Sequence, residues 1–304
     1  MSDEAIIRRA QPGERPVALE LTFSTLLPQP NRAQHIANLL ADSTDGDHRW
    51  CGLMVARRAG AIVGAMWANI EPQQAANVWP PRLTAGETDE LAQRLLAAGL
   101  AEIEVRGIKL AQALVAPSDA DDQRRLSAAG FRPLAELVYL MSSRPPEGDQ
   151  PPASPLEFQR YVPADRARME AIIDRTYIQS LDCPGLDGLR SGGEALKEYR
   201  GSAVSEPAHW FFVRSAGADI GCLLLAEHPE LDQFELVYMG LVSEARGQAR
   251  GGHVVRYAQW LAGRVGRRHL VLAVDSANAP ALGMYEAAGM IAWDRRKVLL
   301  RSWH

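Results

Sequence analysis

Three short stretches in the first half of the chain recur in the same order in the second, and this self-similarity constrains the fold more than composition does. Ile7 to Glu14 (IRRAQPGE) corresponds to Phe158 to Asp165 (FQRYVPAD), each reading as a strand that runs into a helix start. Val55 to Gly64 corresponds to Val213 to Gly221, two strand-like runs joined by a tight turn at Ala-Gly. Ser127 to Phe131 (SAAGF) corresponds to Glu286 to Met290 (EAAGM). Shared order argues for two copies of one α/β unit. Between them, Ser143 to Pro155 is rich in Pro and polar residues and lacks apolar positions to bury. The expectation is one domain over 1–145, a linker at 146–155 and a second domain over 156–304.

A length of 304 residues suits two ordinary domains, and 47% hydrophobic with 23% charged residues is the composition of a soluble globular chain. The formal charge of -4 and the lack of a Lys/Arg stripe argue against nucleic-acid partners. Cys51, Cys183 and Cys222 are far apart and odd in number, which fits a reducing cytoplasm and offers neither disulfide nor zinc spacing. The start lacks a signal-like apolar segment, and no run approaches the roughly 18 apolar residues of a spanning helix, so a cytoplasmic protein with no membrane association is expected.

The chemistry concentrates in the second copy. Phe234 to Val242 is an apolar, β-branched and aromatic run of strand composition that ends at Ser243-Glu244. Arg246-Gly247-Gln248-Ala249-Arg250-Gly251-Gly252 follows, and then a helical pattern puts Val254, Val255, Ala258 and Leu261 on one face. Unpaired N–H groups at such a helix start point at whatever lies in front of it, and glycines let a large anion approach the backbone, so this order makes a polyphosphate cradle. The segment from Leu270 to Met290 adds Asp275, Asn278, Tyr285 and Gly289.

Together the two stretches resemble the GNAT family of acetyl-CoA-dependent N-acetyltransferases. That family's loop reads Arg/Gln-x-x-Gly-x-Gly/Ala, and a later strand is followed by an Asn, a helix carrying a Tyr, and a Gly-Phe pair. Arg246, Ala249 and Gly251 fill the loop pattern, with Ala249 where the family usually has Gly. Asn278 and Tyr285 fill the second pattern, and Gly289-Met290 stands for Gly-Phe. The tandem layout resembles that of proteins such as mycothiol synthase. The resemblance implies two GNAT-like domains, each a mixed, mainly antiparallel sheet flanked by helices, with acetyl-CoA as co-substrate and no metal.

It also implies roles. Residues Arg246 to Gly252 hold the pyrophosphate, with Arg246 and Arg250 adding charge. The backbone of Met239, Gly240, Leu241 and Val242 stabilises the oxyanion, with Gly240 allowing a bulge or a close approach. Glu235 is the first choice of base and Asp275 the alternative, which equally suits a turn cap. Glu235 and Tyr238, an odd number apart, face opposite sides of a regular strand. Tyr285 is the acid for the departing thiolate. Asn278 either bonds the pantetheine or orders its turn. On the acceptor side, Asp182, Asp187, Arg190 and Tyr238 are candidates for an amine of a small molecule or peptide. Cys183 has no His paired with it by any motif, and His253 reads as a ligand-edge or solvent residue rather than a metal ligand.

The first copy departs where the chemistry sits. Asn77 to Glu90 stands in place of a strand and an Arg/Gly loop, and its acidic helix start repels a pyrophosphate. Aligning Gly130 on Gly289 puts Asp119 opposite Asn278 and Leu126 opposite Tyr285. The first domain is therefore expected to be degenerate and non-catalytic. Beside the enzyme stand two other readings: a non-catalytic acyl-CoA sensor or scaffold, and a purely structural duplication. A monomer or homodimer is expected.

Overall fold

The computed structural model describes residues 4–25, 29–41, 49–71, 75–142, 148–182, 192–201 and 208–303. The first half runs β1 (Ile6–Arg9), α1 (Arg15–Thr22), α2 (Gln29–Ala41), β2 (Leu53–Arg58), β3 (Ala61–Glu71), β4 (Ala75–Leu83), α3 (Asp89–Glu104), β5 (Leu110–Val115), α4 (Ala120–Ala128) and β6 (Arg132–Ser142). The second repeats that order as β7 (Glu157–Arg160), α5 (Arg166–Tyr177), α6 (Gly192–Gly201), β8 (Trp210–Ser215), β9 (Ala218–His228), β10 (Gln233–Leu241), α7 (Arg250–Arg264), β11 (His269–Asp275), α8 (Ala279–Ala287) and β12 (Ile291–Ser302). The repeat extends to its turns. Ala59-Gly60 and Ala216-Gly217 all have positive φ (48°, 84°, 48° and 79°), the conformation a two-residue hairpin turn needs to match strand twist.

The chain forms two compact units, Met1–Leu134 with Lys297–His304, and Ala135–Arg296. The division at 146–155 read from the sequence is thus corrected, because each unit takes a strand from the other half of the chain. In the first unit β1 to β5 pair in order, and β5 pairs antiparallel with Lys297–Ser302. In the second, β7, β8, β9, β10 and β11 pair in order, and β11 pairs antiparallel with Leu137–Ser142 of β6. Large apolar side chains fill each core: Trp67, Phe23 and Phe131 in the first unit and Trp210, Phe212 and Phe234 in the second are essentially inaccessible. Full burial of such a side chain stabilises by about 1.5–3 kcal/mol. Among the described residues no helix is long and apolar enough to cross a membrane.

The feature that positions the site is a gap in the second sheet. β10 pairs parallel with β11 only at Gln233, Phe234 and Glu235, and then leaves it while staying paired with β9 as far as Leu241. The register against β9 shifts between Leu236 and Tyr238, so Val237 is the extra residue of a bulge. The first unit repeats the device. β4 pairs with β5 only at Ala75, Ala76 and Asn77, and its register against β3 shifts at Pro80-Pro81. The segment read from the sequence as lacking a strand is therefore β4. Its prolines are tolerated because they fall at the bulge, beyond the last pairing with β5, where the missing N–H breaks no ladder.

Candidate active site

Helices α7 and α8 lie against one face of the second sheet and α5 against the other. A Cβ on Gly251 of α7 would overlap the Met284 sulfur and approach the Met239 methyl, and a Cβ on Gly240 would sit 2.6 Å from Thr176 of α5. Gly240 is therefore required by the approach of α5, and the bulge expected there lies at Val237 instead. The bulge has a second effect. Glu235 pairs with Ala226 and Tyr238 with Leu224, residues two apart on β9, so the extra residue brings Glu235 and Tyr238 onto the same face. The opposite facing expected of a regular strand is corrected.

A cavity of about 750 Å³ occupies the gap. Val274, Met284 and Tyr285 line it from the α7/α8 face, and Ala273, Tyr238 and Thr176 from the α5 face, so it runs through the sheet. Of the backbone candidates, Met239, Gly240 and Leu241 line it. The Val242 amide donates to the Ile220 carbonyl at 2.9 Å, which fixes the alternation of the strand. The Met239 and Leu241 amides therefore point away from β9, into the gap, and the Val242 amide is engaged elsewhere. Val242 is buried and does not line the cavity.

Beyond β10 the loop ends in the α7 N-terminus. Gly247 has φ 72°, and Ala249, the residue before the helix, has φ 54° and ψ 9°, the left-handed conformation that glycine adopts most easily. Ala249 thus supplies the backbone geometry that its position demands. Among the described residues no side chain caps α7, and its first N–H groups belong to Arg250, Gly251 and Gly252, which line the cavity. Gln248 does not line it, its amide donating to the Glu244 carbonyl at 3.0 Å.

Arg246 lines the cavity as expected, with its guanidinium already engaged by backbone. It donates to the carbonyls of Leu241 (2.9 Å), Ile178 (3.0 Å), Gln179 (2.8 Å) and Thr176 (2.7 Å), clamping the loop to the carbonyl end of α5. Arg250 lines the cavity as expected of it, and Arg256 joins it there. Arg256 was missed by sequence reasoning, although it lies one turn beyond Gly252 on the same helix face. His253 also lines the cavity, and its Nδ1 is buried without a hydrogen-bond partner among the described residues.

Asn278 lines the cavity while its side chain caps α8, accepting from the Ala281 amide at 3.3 Å. Asp275 is buried and does not line the cavity, and its carboxylate accepts from the Ala277 amide at 2.9 Å. Asp275 is a turn residue. Tyr285 is buried at the cavity wall, and burial, with Asp182 adding repulsion, pushes its phenol well above the ordinary range, so it keeps its proton. The Tyr238 hydroxyl is 2.7 Å from Thr176 Oγ1, which itself donates to the Ile173 carbonyl, so Tyr238 is the donor of that pair. Tyr238 stacks on Tyr199 and meets Tyr177 edge-on. Asp182 lines the cavity and accepts from the Asp275 amide at 3.2 Å. Asp187, Arg190 and Cys183 lie outside the described residues. Cys222 is fully buried, and burial pushes its thiol up to about 12, far from a nucleophile's range.

Glu235 does not line the cavity, but it stands on the α5 face where β10 begins to leave β11. Its carboxylate lies 2.9 Å from His228 Nε2. That hydrogen bond raises the His228 pKa against the opposing effect of burial. His228 was also missed, yet the short turn from Pro229 to Asp232 pairs His228 with Gln233 and makes it the diagonal neighbour of Glu235.

A sheet opened between two parallel strands, with an uncapped helix start on one side and acidic and aromatic groups on the other, is the arrangement of an acyltransferase. Residues 177–290 match the family described as acetyltransferase (GNAT), and the chain carries a GNAT acetyltransferase domain over that span. No curated protein matches the sequence. Among solved structures the chain is similar to a GCN5-related N-acetyltransferase from Sphaerobacter thermophilus, with TM-score 0.71 and 15% identity over 99% of this chain and 96% of that one. It is also similar to a tandem GNAT protein from the clavulanic acid biosynthesis pathway (TM-score 0.58, 14% identity, 98% of each chain). A GNAT-family acetyltransferase from Colwellia psychrerythraea shares the fold at TM-score 0.55 and 13% identity, over 98% of this chain and all of that one (100%).

Proposed function

We propose that the second unit transfers the acetyl group of acetyl-CoA to a primary amine by direct attack, and that the first unit is non-catalytic. The observation that carries this reading is the cavity through the sheet, which gives donor and acceptor separate approaches to one point. The α7 side fits a CoA: its first N–H groups are uncapped, Arg250 and Arg256 supply charge, and the Cβ-free Gly252 leaves the helix start accessible. When bound there, the donor supplies an activated acyl carbon at the gap.

This chain's residues then do the rest. The Met239 and Leu241 amides, turned into the gap by the strand alternation, are placed to receive a developing oxyanion. Glu235, held by His228, takes a proton from the incoming ammonium directly or across one water. The neutral nitrogen forms the C–N bond as the C–S bond breaks. Tyr285 gives its proton to the departing sulfur, and the nitrogen's second proton replaces it, so one proton is released per turnover.

The test is calorimetric titration of acetyl-CoA into the wild type and a Gly252→Glu variant, followed by thiol release with a panel of amines. At Gly252 a Cβ meets only an Arg256 nitrogen, at 3.4 Å, so the variant keeps its packing. Its carboxylate favours the helix dipole but repels a pyrophosphate. One equivalent bound by the wild type and affinity lower by on the order of a hundredfold in the variant is the expected result. Binding without thiol release for any amine leaves an acyl-CoA sensor. No binding removes the acyltransfer reading.

A further inference from the structure

Around Glu235, the far side of the gap carries further groups that none of the roles above uses. In the parallel pairing of β10 with β11, Glu235 is opposite Val271, so Val271, Ala273 and Asp275 share the face of Glu235. In the antiparallel pairing of β11 with β6, Ala273 is opposite Tyr139, which therefore stands on that face too. Glu235 and Tyr139 thus flank β11 from strands about 10 Å apart by ladder spacing. Between them β11 presents Val271 beside Glu235 and the exposed methyl of Ala273 beside Tyr139, and Ala273 also lines the cavity. The result is a notch with its floor at the point where the cavity crosses the sheet.

The walls of the notch have a definite chemistry. Trp293 meets the Tyr139 ring edge-on at 5.9 Å, and Trp293 is 57% exposed although it is the largest apolar side chain on its strand. Ile291, on the same face of that strand, is 70% exposed. Asp182 closes the end of β11, and Leu181 beside it is exposed and lines the cavity. Carboxylates thus stand at both ends and an aromatic pair at the side. The two arginines nearest Trp293 on its strand are already matched, Arg295 to Glu136 at 3.1 Å and Arg296 to Asp294 at 2.8 Å. Burial pushes the Tyr139 phenol up, with Arg296 opposing and the charges of Asp294 and Glu235 adding to the rise.

We infer that the acceptor is a small primary amine on a flat aromatic body, an arylalkylamine. Its ammonium lies between Glu235 and Asp182, and its ring lies against Trp293 and Tyr139. The aromatic pair gives an apolar, planar surface to a planar group, and the carboxylates give a cation its partner. Trp293 is then a specificity-determining residue. This inference rests on the acyltransfer reading proposed above.

The test uses the full chain with acetyl-CoA and 2-phenylethylamine, tryptamine, 1,4-diaminobutane and glucosamine, with thiol release as the readout. The aromatic amines are expected to have the highest kcat/KM. Trp293→Ala is expected to raise their KM at least tenfold with kcat little changed, Trp293→Phe to restore most of it, and acetyl-CoA affinity to stay the same in both. Diaminobutane or glucosamine outperforming the aromatic amines, or Trp293→Ala leaving KM unmoved, overturns the aromatic acceptor while acyl transfer stands. Intact acetyl-CoA binding without turnover of the aromatic amines overturns it as well. Failure to bind acetyl-CoA at all sinks the acyltransfer reading, and this inference with it.

Discussion

Helices α3 and α7 hold the same place in their units, each following a strand that leaves its parallel neighbour, yet one helix start is closed and the other open. At α3 the Thr88 hydroxyl accepts from the Leu91 amide, and Asp89 and Glu90 fill the first turn. At α7 no side chain among the described residues caps the start, and Gly251 and Gly252 follow Arg250. The helices that follow diverge in the same way. Asp119 and Asn278 both cap, but Leu126 sits in the first core where Tyr285 sits at the cavity of the second. From α4, Asp122 forms an ion pair at 2.7 Å with Arg82 on β4, at the position that Gly240 holds on β10. The scaffold's splay and bulge are common to both units, so on the proposed reading the geometry of the sheet alone does not make a site. A few side chains at the helix start and the gap decide whether the space is filled or open.

The sharpest way to break this comparison is at Tyr285. If it is the acid, Tyr285→Phe lowers kcat by about 10²–10⁴-fold while calorimetric affinity for acetyl-CoA stays within about twofold. Equal loss of affinity would make it a packing residue like Leu126. Next is the closed helix start. Thr88→Ala is expected to destabilise by about 1 kcal/mol, seen as a lower urea midpoint, with acetyl-CoA binding unmoved. A change in that affinity would mean that the first unit takes part in donor binding.

A smaller effect concerns pH. Because the folded His228 pKa lies above its ordinary value, the stabilisation from its bond to Glu235 is complete below the ordinary imidazole range. It is lost as pH rises through the raised value. Thermal scans should show the wild type losing more stability than His228→Gln between about pH 6 and 9. Parallel curves would show that the pair contributes nothing, and solvent at the part-exposed Glu235 keeps the expected difference modest. The smallest effect is at Ala249. Relieving its left-handed backbone with Ala249→Gly should stabilise by about 0.5 kcal/mol, the strain relief being partly offset by a freer unfolded chain. Destabilisation would show that the methyl is packed.

What was legible in the sequence was local. Residues Arg246 to Gly252 form a strand-to-helix loop whose composition carries its own conformation, and Asn278 and Tyr285 stand at a helix start and one helical face, so their neighbours follow from chain spacing alone. What was hidden depends on register. Val237, one extra residue, inverts the parity of β10 and puts Glu235 and Tyr238 on one side. His228 became visible only once the pairing across its short turn was fixed, whereas Arg256 follows from a single helical step beyond Gly252. Tyr139 and Trp293 meet across about half the chain's length, and no local pattern announces that. Pro80-Pro81 concealed a strand because proline is read as a breaker wherever the bulge that shelters it is unknown. That the Arg246 side chain also holds the carbonyl end of α5 is a contact no local pattern announces.

The exchange of strands between the halves sets an order on how the molecule can be made. The last strand of the first unit, Lys297–Ser302, leaves the ribosome only after the other strands of both units. Until then β5 lacks one of its two neighbours, and an unpaired strand edge invites pairing with another chain. The second unit, by contrast, has its borrowed strand, Leu137–Ser142, before any of its other strands emerges. The half that is translated first is therefore the half that finishes last, and a chain cut between the repeats would yield an N-terminal fragment with an open sheet edge and a C-terminal one lacking the strand that carries Tyr139.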